Sequence, residues 1–210
     1  MSANRFDQAA ATWDHEPRRI ALMRAIGEAI LRQANPTKAM RVLDYGCGTG
    51  LIGLYLLPHV RSVTGADNST GMLQVLREKI TAGGLKDMQA VFLDLQKEAT
   101  PGDRYNIVVA GMALHHIADT DRVLRAFHQL LLPGGTLCLA DLDSEPGTFH
   151  SADVAGSVYH LGFDRDELKR QLCEVGFLQP ADSTVAKFEK PVEGGGRREF
   201  SIFLITARRP

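Results

Sequence analysis

Residues 41–53 read RVLDYGCGTGLIG, an apolar run that ends in a glycine-rich turn and restarts as a helix-forming segment. Two glycine patterns overlap here. Residues 48–53, GTGLIG, spell the dinucleotide fingerprint G-x-G-x-x-G, while residues 46–50, GCGTG, fit a different loop. Both put glycines at a strand-to-helix turn, where the backbone can approach a ligand and the helix N-terminus is mildly positive. Asp44 separates them. A carboxylate about 5 Å from a pyrophosphate would cost roughly 3 kcal/mol per charge at an effective dielectric near 20, whereas an ammonium or sulfonium ligand would gain by a similar amount. Asp44 therefore favours a cation. Asp67, about twenty residues beyond the glycines, would meet ribose hydroxyls with either ligand and does not discriminate.

Outward from this loop, runs rich in Val, Ile and Leu alternate with segments of helical period, the pattern of β-α units over a mostly parallel sheet. Strands are expected at 40–45, 62–67, 89–94, 105–110 and 135–141, with helices at 50–57, 69–82 and 120–132. Each helix is closed by a breaker: Pro58, Gly83-Gly84 and Pro133-Gly134-Gly135. Asp164 with Glu167 signals the start of a helix over 164–175, and Gly176 supplies a left-handed stop. The order then changes. Segments 184–189 and 199–207 flank VEGGGRR and read as a β-hairpin. Ahead of the first strand, RFDQAAATWD and PRRIALMRAIGEAILRQA form two amphipathic helical stretches, with Pro17 at the first turn of the second. The expected α/β fold is a Rossmann-like, seven-stranded, mostly parallel sheet with a C-terminal antiparallel hairpin and helices on both faces. Residues 1–36 form a helical cap and 37–210 the domain, with 143–163 as a substrate-cap segment.

Composition narrows the partners. The chain has 210 residues, a formal net charge of −1 and a pI near 6.7, so no overall field attracts nucleic acid. Cys47, Cys138 and Cys173 are widely spaced and form no C-x-x-C, which indicates neither a disulfide framework nor a zinc knuckle and fits a cytoplasmic location. The longest uncharged stretch, 105–118, is too short and interrupted to span a bilayer, so no membrane insertion is expected.

VLDYGCGTG, GADNSTGML, FLDL, YNIVVAGMALHHI and LLPGGTLCLAD together resemble the motif series of class I S-adenosylmethionine-dependent methyltransferases. FDQAAATWD resembles the N-terminal cap of the small-molecule branch related to ubiquinone and menaquinone biosynthesis methyltransferases. The resemblance implies S-adenosylmethionine as cofactor, with S-adenosylhomocysteine as product. It also implies that Asp44, Gly46, Gly48 and Gly50 accommodate the amino acid end and that Asp67 pairs with the ribose. Asn68 and Met72 would border the adenosine, Asp94 and Leu95 the adenine, and Ala110 to Met112 the floor near the sulfonium. Trp13 and Arg18 or Arg19 would cover the cofactor from above. Plainer roles stand beside these: Asp94 as a turn cap, Met72 as core, and Trp13 as an anchor of the N-terminal helix.

An activated methyl donor leaves the protein to align a nucleophile, exclude water and, where needed, remove a proton. The fourth strand runs into AGMALHH, without the Asn/Asp-Pro-Pro-aromatic motif of base-directed amino methyltransferases and without an acid after Ala110 to hold magnesium. A small-molecule acceptor remains, its atom and identity open, with the protein acting as a monomer or homodimer. If a base is used, His115, His116 or His150 is the candidate, and Tyr159 and His160 are expected to face the acceptor. Because His115 and His116 are adjacent they are expected to point to different sides, and no metal site is expected. No residue is an unmistakable base, so a non-catalytic cofactor-binding regulatory module stays open. An NAD(P)-dependent oxidoreductase survives only on GTGLIG and Asp67.

Overall fold

The computed structural model describes residues 5–150, 155–192 and 195–210. The chain opens with helix α1 (Arg5–Ala9), a 3-10 turn (Ala10–His15) and helix α2 (Pro17–Ala34). Alternation then sets in: β1 (Arg41–Tyr45), α3 (Leu51–Leu56), β2 (Ser62–Asp67), α4 (Thr70–Ala82), β3 (Met88–Phe92) and β4 (Tyr105–Gly111). After α5 (Thr120–Leu130), β5 (Leu131–Leu142) and α6 (Arg165–Val175), the chain closes with β6 (Leu178–Pro191) and β7 (Arg197–Arg208). The seven strands form one sheet in the order β3-β2-β1-β4-β5-β7-β6. β1 to β5 pair in parallel, and β7 inserts antiparallel between β5 and β6, which is the hairpin expected from the sequence.

The period of two along each central strand sorts side chains into two cores. Leu43, Val108, Ala110, Leu137 and Leu139 face one side, where Leu124, Phe127 and Leu130 of α5 and Leu168 and Leu172 of α6 cover them. Their neighbours Val42, Ile107, Val109, Cys138 and Ala140 face the other, against Ile26 and Ile30 of α2 and Ile52 and Leu56 of α3. Burial on both faces explains why these strands read as continuous apolar runs. α2 shares that core, for Ile26, Ala29 and Ile30 are buried against the sheet.

Helix ends follow the sequence signals. The Glu16 side chain accepts from Arg18 N ahead of Pro17, Ser69 Oγ accepts from Met72 N, Asp119 Oδ1 from Arg122 N, and Asp164 Oδ1 from Glu167 N. Gly176 closes α6 at φ 111°. Several boundaries differ from expectation, and β6 begins at Leu178, six residues ahead of the expected 184. β3 stops at Phe92, because Asp94 starts a turn in which its carbonyl accepts from Lys97 N and Glu98 N. α5 ends at Leu130 and β5 begins at once, with Pro133-Gly134-Gly135 absorbed as an irregularity between the pairs Tyr105/Leu131 and Ile107/Thr136. Residues 151–154 of the expected substrate-cap segment, and residues 193–194 of the hairpin turn, lie outside the described residues.

Candidate functional site

β1 and β4 are neighbours whose crossovers run to opposite ends of the sheet, so a crevice opens at their C-terminal edge. The loop after β1 lines it in left-handed turns: Gly46 has φ 67°, Gly48 54° and Gly50 83°. A Cβ on Gly46 would lie 2.5 Å from Ala113 Cβ, and one on Gly50 would lie 2.5 Å from Leu76 Cδ1, so only glycine allows this loop to pack so closely.

Two carboxylates stand behind the loop. Asp44 is buried, and its Oδ2 accepts from Gly53 N at 2.9 Å in the first turn of α3. Burial pushes its carboxyl up to about 7, against the pull of the Gly53 amide and with a further push from Asp67. Asp67 accepts from Gly48 N and from Ser69 N, each at 2.8 Å, and burial raises its carboxyl above the usual range despite those amides. Two raised, neighbouring carboxylates at one loop form a site whose charge is best relieved by a cationic ligand. The amide of Gly53, last of the G-x-G-x-x-G glycines, is already bonded to a carboxylate. Cys47, between the glycines, is held as a thiol because burial pushes it well up.

The N-terminal segment is clamped over the loop. Asp7 accepts from Ser69 Oγ at 2.6 Å and from Gly71 N at 2.8 Å at the start of α4. Asp14 accepts from Thr49 Oγ1 at 2.7 Å and pairs with Lys79, whose Nζ also donates to the Thr49 carbonyl. Between these anchors Trp13 comes down on the loop, its Nε1 3.8 Å from where a Cβ on Gly48 would be. The Arg19 guanidinium lies 3.8 Å from the Trp13 ring centroid and donates to the Trp13 carbonyl. Arg18 lines the same cleft, but Arg19, and not Arg18, is the cation stacked on Trp13.

The cleft has a volume of about 820 Å³. It brings together Trp13, Arg18, Asp44, Gly46, Met112, His115, His116 and His150. Met72 is buried under the loop, its Sδ 3.9 Å from the same Gly48 position, and Ala110 is buried in the core. Asn68 is exposed beside Asp67. Asp94 and Leu95 lie outside the cleft: Asp94 caps its own turn through Gln96 N and Lys97, and Leu95 N donates to the Tyr45 hydroxyl.

Tyr159 and His160 do not line the cleft. Tyr159 is 61% exposed, His160 Nε2 is bonded to the Ile117 carbonyl at 2.9 Å, and both backbone amides donate to the His115 carbonyl. Their expected place is taken by residues that sequence reasoning missed. Lys187, Phe188 and Lys190 of β6 wall the cleft, and Lys190 donates to the Phe149 carbonyl. The run KFEK carried the only local hint.

His115 and His116 follow a chain reversal. Met112, at φ 56°, is a left-handed non-glycine residue that ends β4 and feeds a 3-10 turn over Leu114–His116. That turn overrules the expectation that adjacent histidines diverge. Their ring centroids are 4.1 Å apart, and His150 comes within 5.1 Å of His115 and 5.4 Å of His116. Asp141 of β5 takes His115 Nδ1 at 2.7 Å and accepts from His115 N, and His116 Nδ1 bonds to the Ser157 carbonyl at 2.6 Å. Burial works against the Asp141 charge, yet His115 beside it holds that carboxyl below its ordinary range. Burial, then the neighbouring histidines, press His116 down to about 4 and His150 to about 3, so both rings are neutral near pH 7.

The doubly wound sheet, with a glycine loop and buried carboxylates at its switch point, places the site in the class of nucleotide-cofactor folds. A family described as a methyltransferase domain matches residues 14–178. An uncharacterized methyltransferase of Schizosaccharomyces pombe is 34% identical over 137 residues, covering 59% of this chain and 48% of that protein. The ubiquinone biosynthesis O-methyltransferase of Dinoroseobacter shibae is 30% identical over 191 residues, covering 84% of this chain and 76% of its own. The structure of a SAM-dependent methyltransferase from Aquifex aeolicus superposes with a TM-score of 0.71 at 18% identity, over 97% of this chain and 98% of that one. The chain thus spans about half the length of the first relative and about three quarters of the second. It belongs to the methyltransferase domain family, in its class I, S-adenosylmethionine-dependent branch. No helix among the described residues is long and apolar enough to cross a membrane.

Proposed function

We propose that the protein transfers the methyl group of S-adenosylmethionine to a small-molecule acceptor by in-line displacement, releasing S-adenosylhomocysteine. The observation that carries this is the pair of raised carboxylates, Asp44 and Asp67, at the glycine loop on the sheet's switch point. In this reading Asp44 faces the cationic amino acid end, Asp67 the ribose, and Trp13 with Arg19 closes the site from residues 1–36. Water exclusion and alignment of the acceptor supply most of the rate, since the sulfonium is already activated.

The acceptor enters on the side of the histidines and the hairpin. Six basic side chains line the cleft there and at the cap (Arg5, Arg18, Arg19, Lys187, Lys190 and Arg197) against three acids, Glu16, Asp44 and Glu189. With Asp44 given to the cofactor, that excess favours an acceptor carrying negative charge. Phe149 supplies an apolar wall, edge-on to Phe200 with ring centroids 5.2 Å apart. The reading also takes the protein as cytoplasmic, acting as a monomer or homodimer, with no nucleic acid partner and no membrane insertion.

Incubation of the purified chain with methyl-labelled S-adenosylmethionine and fractionated acidic metabolites is expected to move label into a small product and to form S-adenosylhomocysteine in equal amount. Tight cofactor binding with no label transfer to any fraction would turn the reading to a regulatory module. Binding of NAD(P)H without binding of S-adenosylmethionine would overturn it outright.

A further inference from the structure

The three histidines of the cleft have a chemistry that methyl transfer alone does not require. One ring nitrogen from each of His115, His116 and His150 lies within 4.8 Å of the other two. The carbonyl of Ser157 can only accept, so His116 Nδ1 carries the proton and its Nε2 keeps a lone pair. The Asp141 carboxylate fixes His115 in the same way, through Nδ1. His150 Nε2 is buried and has no hydrogen-bond partner among the described residues. Imidazoles that donate one ring N–H to a carboxylate or a backbone carbonyl, with the other nitrogen free, are arranged as metal-binding histidines commonly are.

We propose that His115, His116 and His150 bind one divalent first-row transition metal ion through their Nε2 atoms, on the acceptor side of the cleft. Three imidazole nitrogens suit zinc and its neighbours over magnesium or calcium, which prefer oxygen. Metal–nitrogen bonds of about 2.1 Å put tetrahedral ligand atoms roughly 3.4 Å apart, and ring nitrogens that already lie within 4.8 Å of one another are close to that spacing. With three protein ligands, a coordination position stays open towards the cleft. Resting on the methyl-transfer reading, this assigns the acceptor an oxygen donor that the ion holds beside the atom to be methylated. The excess of basic side chains around the cleft favours the same oxygen-rich, anionic class.

The test is calorimetric titration of chelator-stripped full chain with zinc chloride, repeated with cobalt(II) to read coordination by visible absorption. One ion per chain is expected, with a tetrahedral cobalt spectrum. His150→Ala and His116→Ala are each expected to weaken zinc binding on the order of 100-fold. His59→Ala, on an exposed turn, should leave it unchanged. A wild-type chain that takes up no zinc, or zinc bound as tightly after His150→Ala, overturns the site. S-adenosylmethionine titrated into the same samples separates the two ideas: cofactor binding without zinc binding removes only the metal, whereas loss of cofactor binding by the wild type removes the methyl-transfer reading.

Discussion

Asp44→Asn is expected to lower affinity for S-adenosylmethionine on the order of 100-fold while making the ligand-free protein more stable above pH 7. A full charge about 5 Å from a cationic ligand contributes roughly 3 kcal/mol at an effective dielectric near 20, which is the source of the hundredfold. Stability moves the other way. Burial lifts the Asp44 carboxyl from 3.8 to about 7, so between those values the native state binds more protons than the unfolded chain. Stability of the free protein therefore falls as pH rises from about 4 to about 7, then levels off, by up to about 4 kcal/mol for a shift of this size. The Asn variant carries no such proton and should lack the decline. Affinity of the wild type should climb about tenfold per pH unit between about 5 and 7 and flatten on either side, as the carboxylate becomes charged. Calorimetry and thermal melts across that range check both halves. Equal affinity in the variant, together with an unchanged pH profile of melting, would remove Asp44 from the cofactor site.

Loss of Asp67 should be felt by the ligand and scarcely by the fold. Its two oxygens accept from Gly48 N and Ser69 N, with the Asn68 amide also bearing on the carboxylate, and a charged carboxylate can take further bonds from two vicinal ribose hydroxyls. Charge-assisted bonds of this kind contribute about 1.5 to 3 kcal/mol each, so Asp67→Ala is expected to weaken S-adenosylmethionine binding by about 10- to 100-fold. The N-terminus of α4 does not depend on it, because the Ser69 hydroxyl caps that helix through Met72 N. The melting temperature of the empty variant should stay close to that of the wild type. Unchanged affinity with a lowered melting temperature would show instead that Asp67 serves only to order the loop and the turn before α4.

Much of the architecture was legible because it is local. Val42 and Leu43, or Ile107 and Val108, alternate between two buried faces, and Gly176 stops α6 where a left-handed residue is needed. The loop was equally legible: the glycines at 46, 48 and 50 adopt the left-handed turns that the strand-to-helix pattern called for, with Asp44 buried behind them. What failed depended on where distant segments meet. The separation of His115 and His116 was argued from regular helix and strand geometry, but a left-handed Met112 and a 3-10 turn put both rings on one cleft. Tyr159 and His160 were placed by their position after the fifth strand, whereas their backbone is tied behind His115. Lys187 and Lys190 belong to a hairpin that the sequence did announce, but they wall the cleft because β7 docks antiparallel on β5 and carries β6 with it, a long-range arrangement that does not show in the local pattern KFEK.

The double clamp made by Asp7 and Asp14 has a kinetic consequence. Both carboxylates belong to one short segment, which cannot lift from α4 while it stays fastened at Thr49 and Lys79; under the proposed function, in which that segment covers the cofactor, escape of spent cofactor calls for both to part together. Such concerted opening makes exit a gated event, and gating of this kind often sets the turnover of an enzyme. The Asp14–Lys79 pair is only partly shielded from solvent, so mobile ions weaken it. Raising ionic strength should therefore quicken the departure of S-adenosylhomocysteine in a stopped-flow chase, and Asp14→Asn should quicken it at low salt and make it indifferent to salt thereafter. A dissociation rate unmoved by either change would mean that the segment swings free of its fastenings.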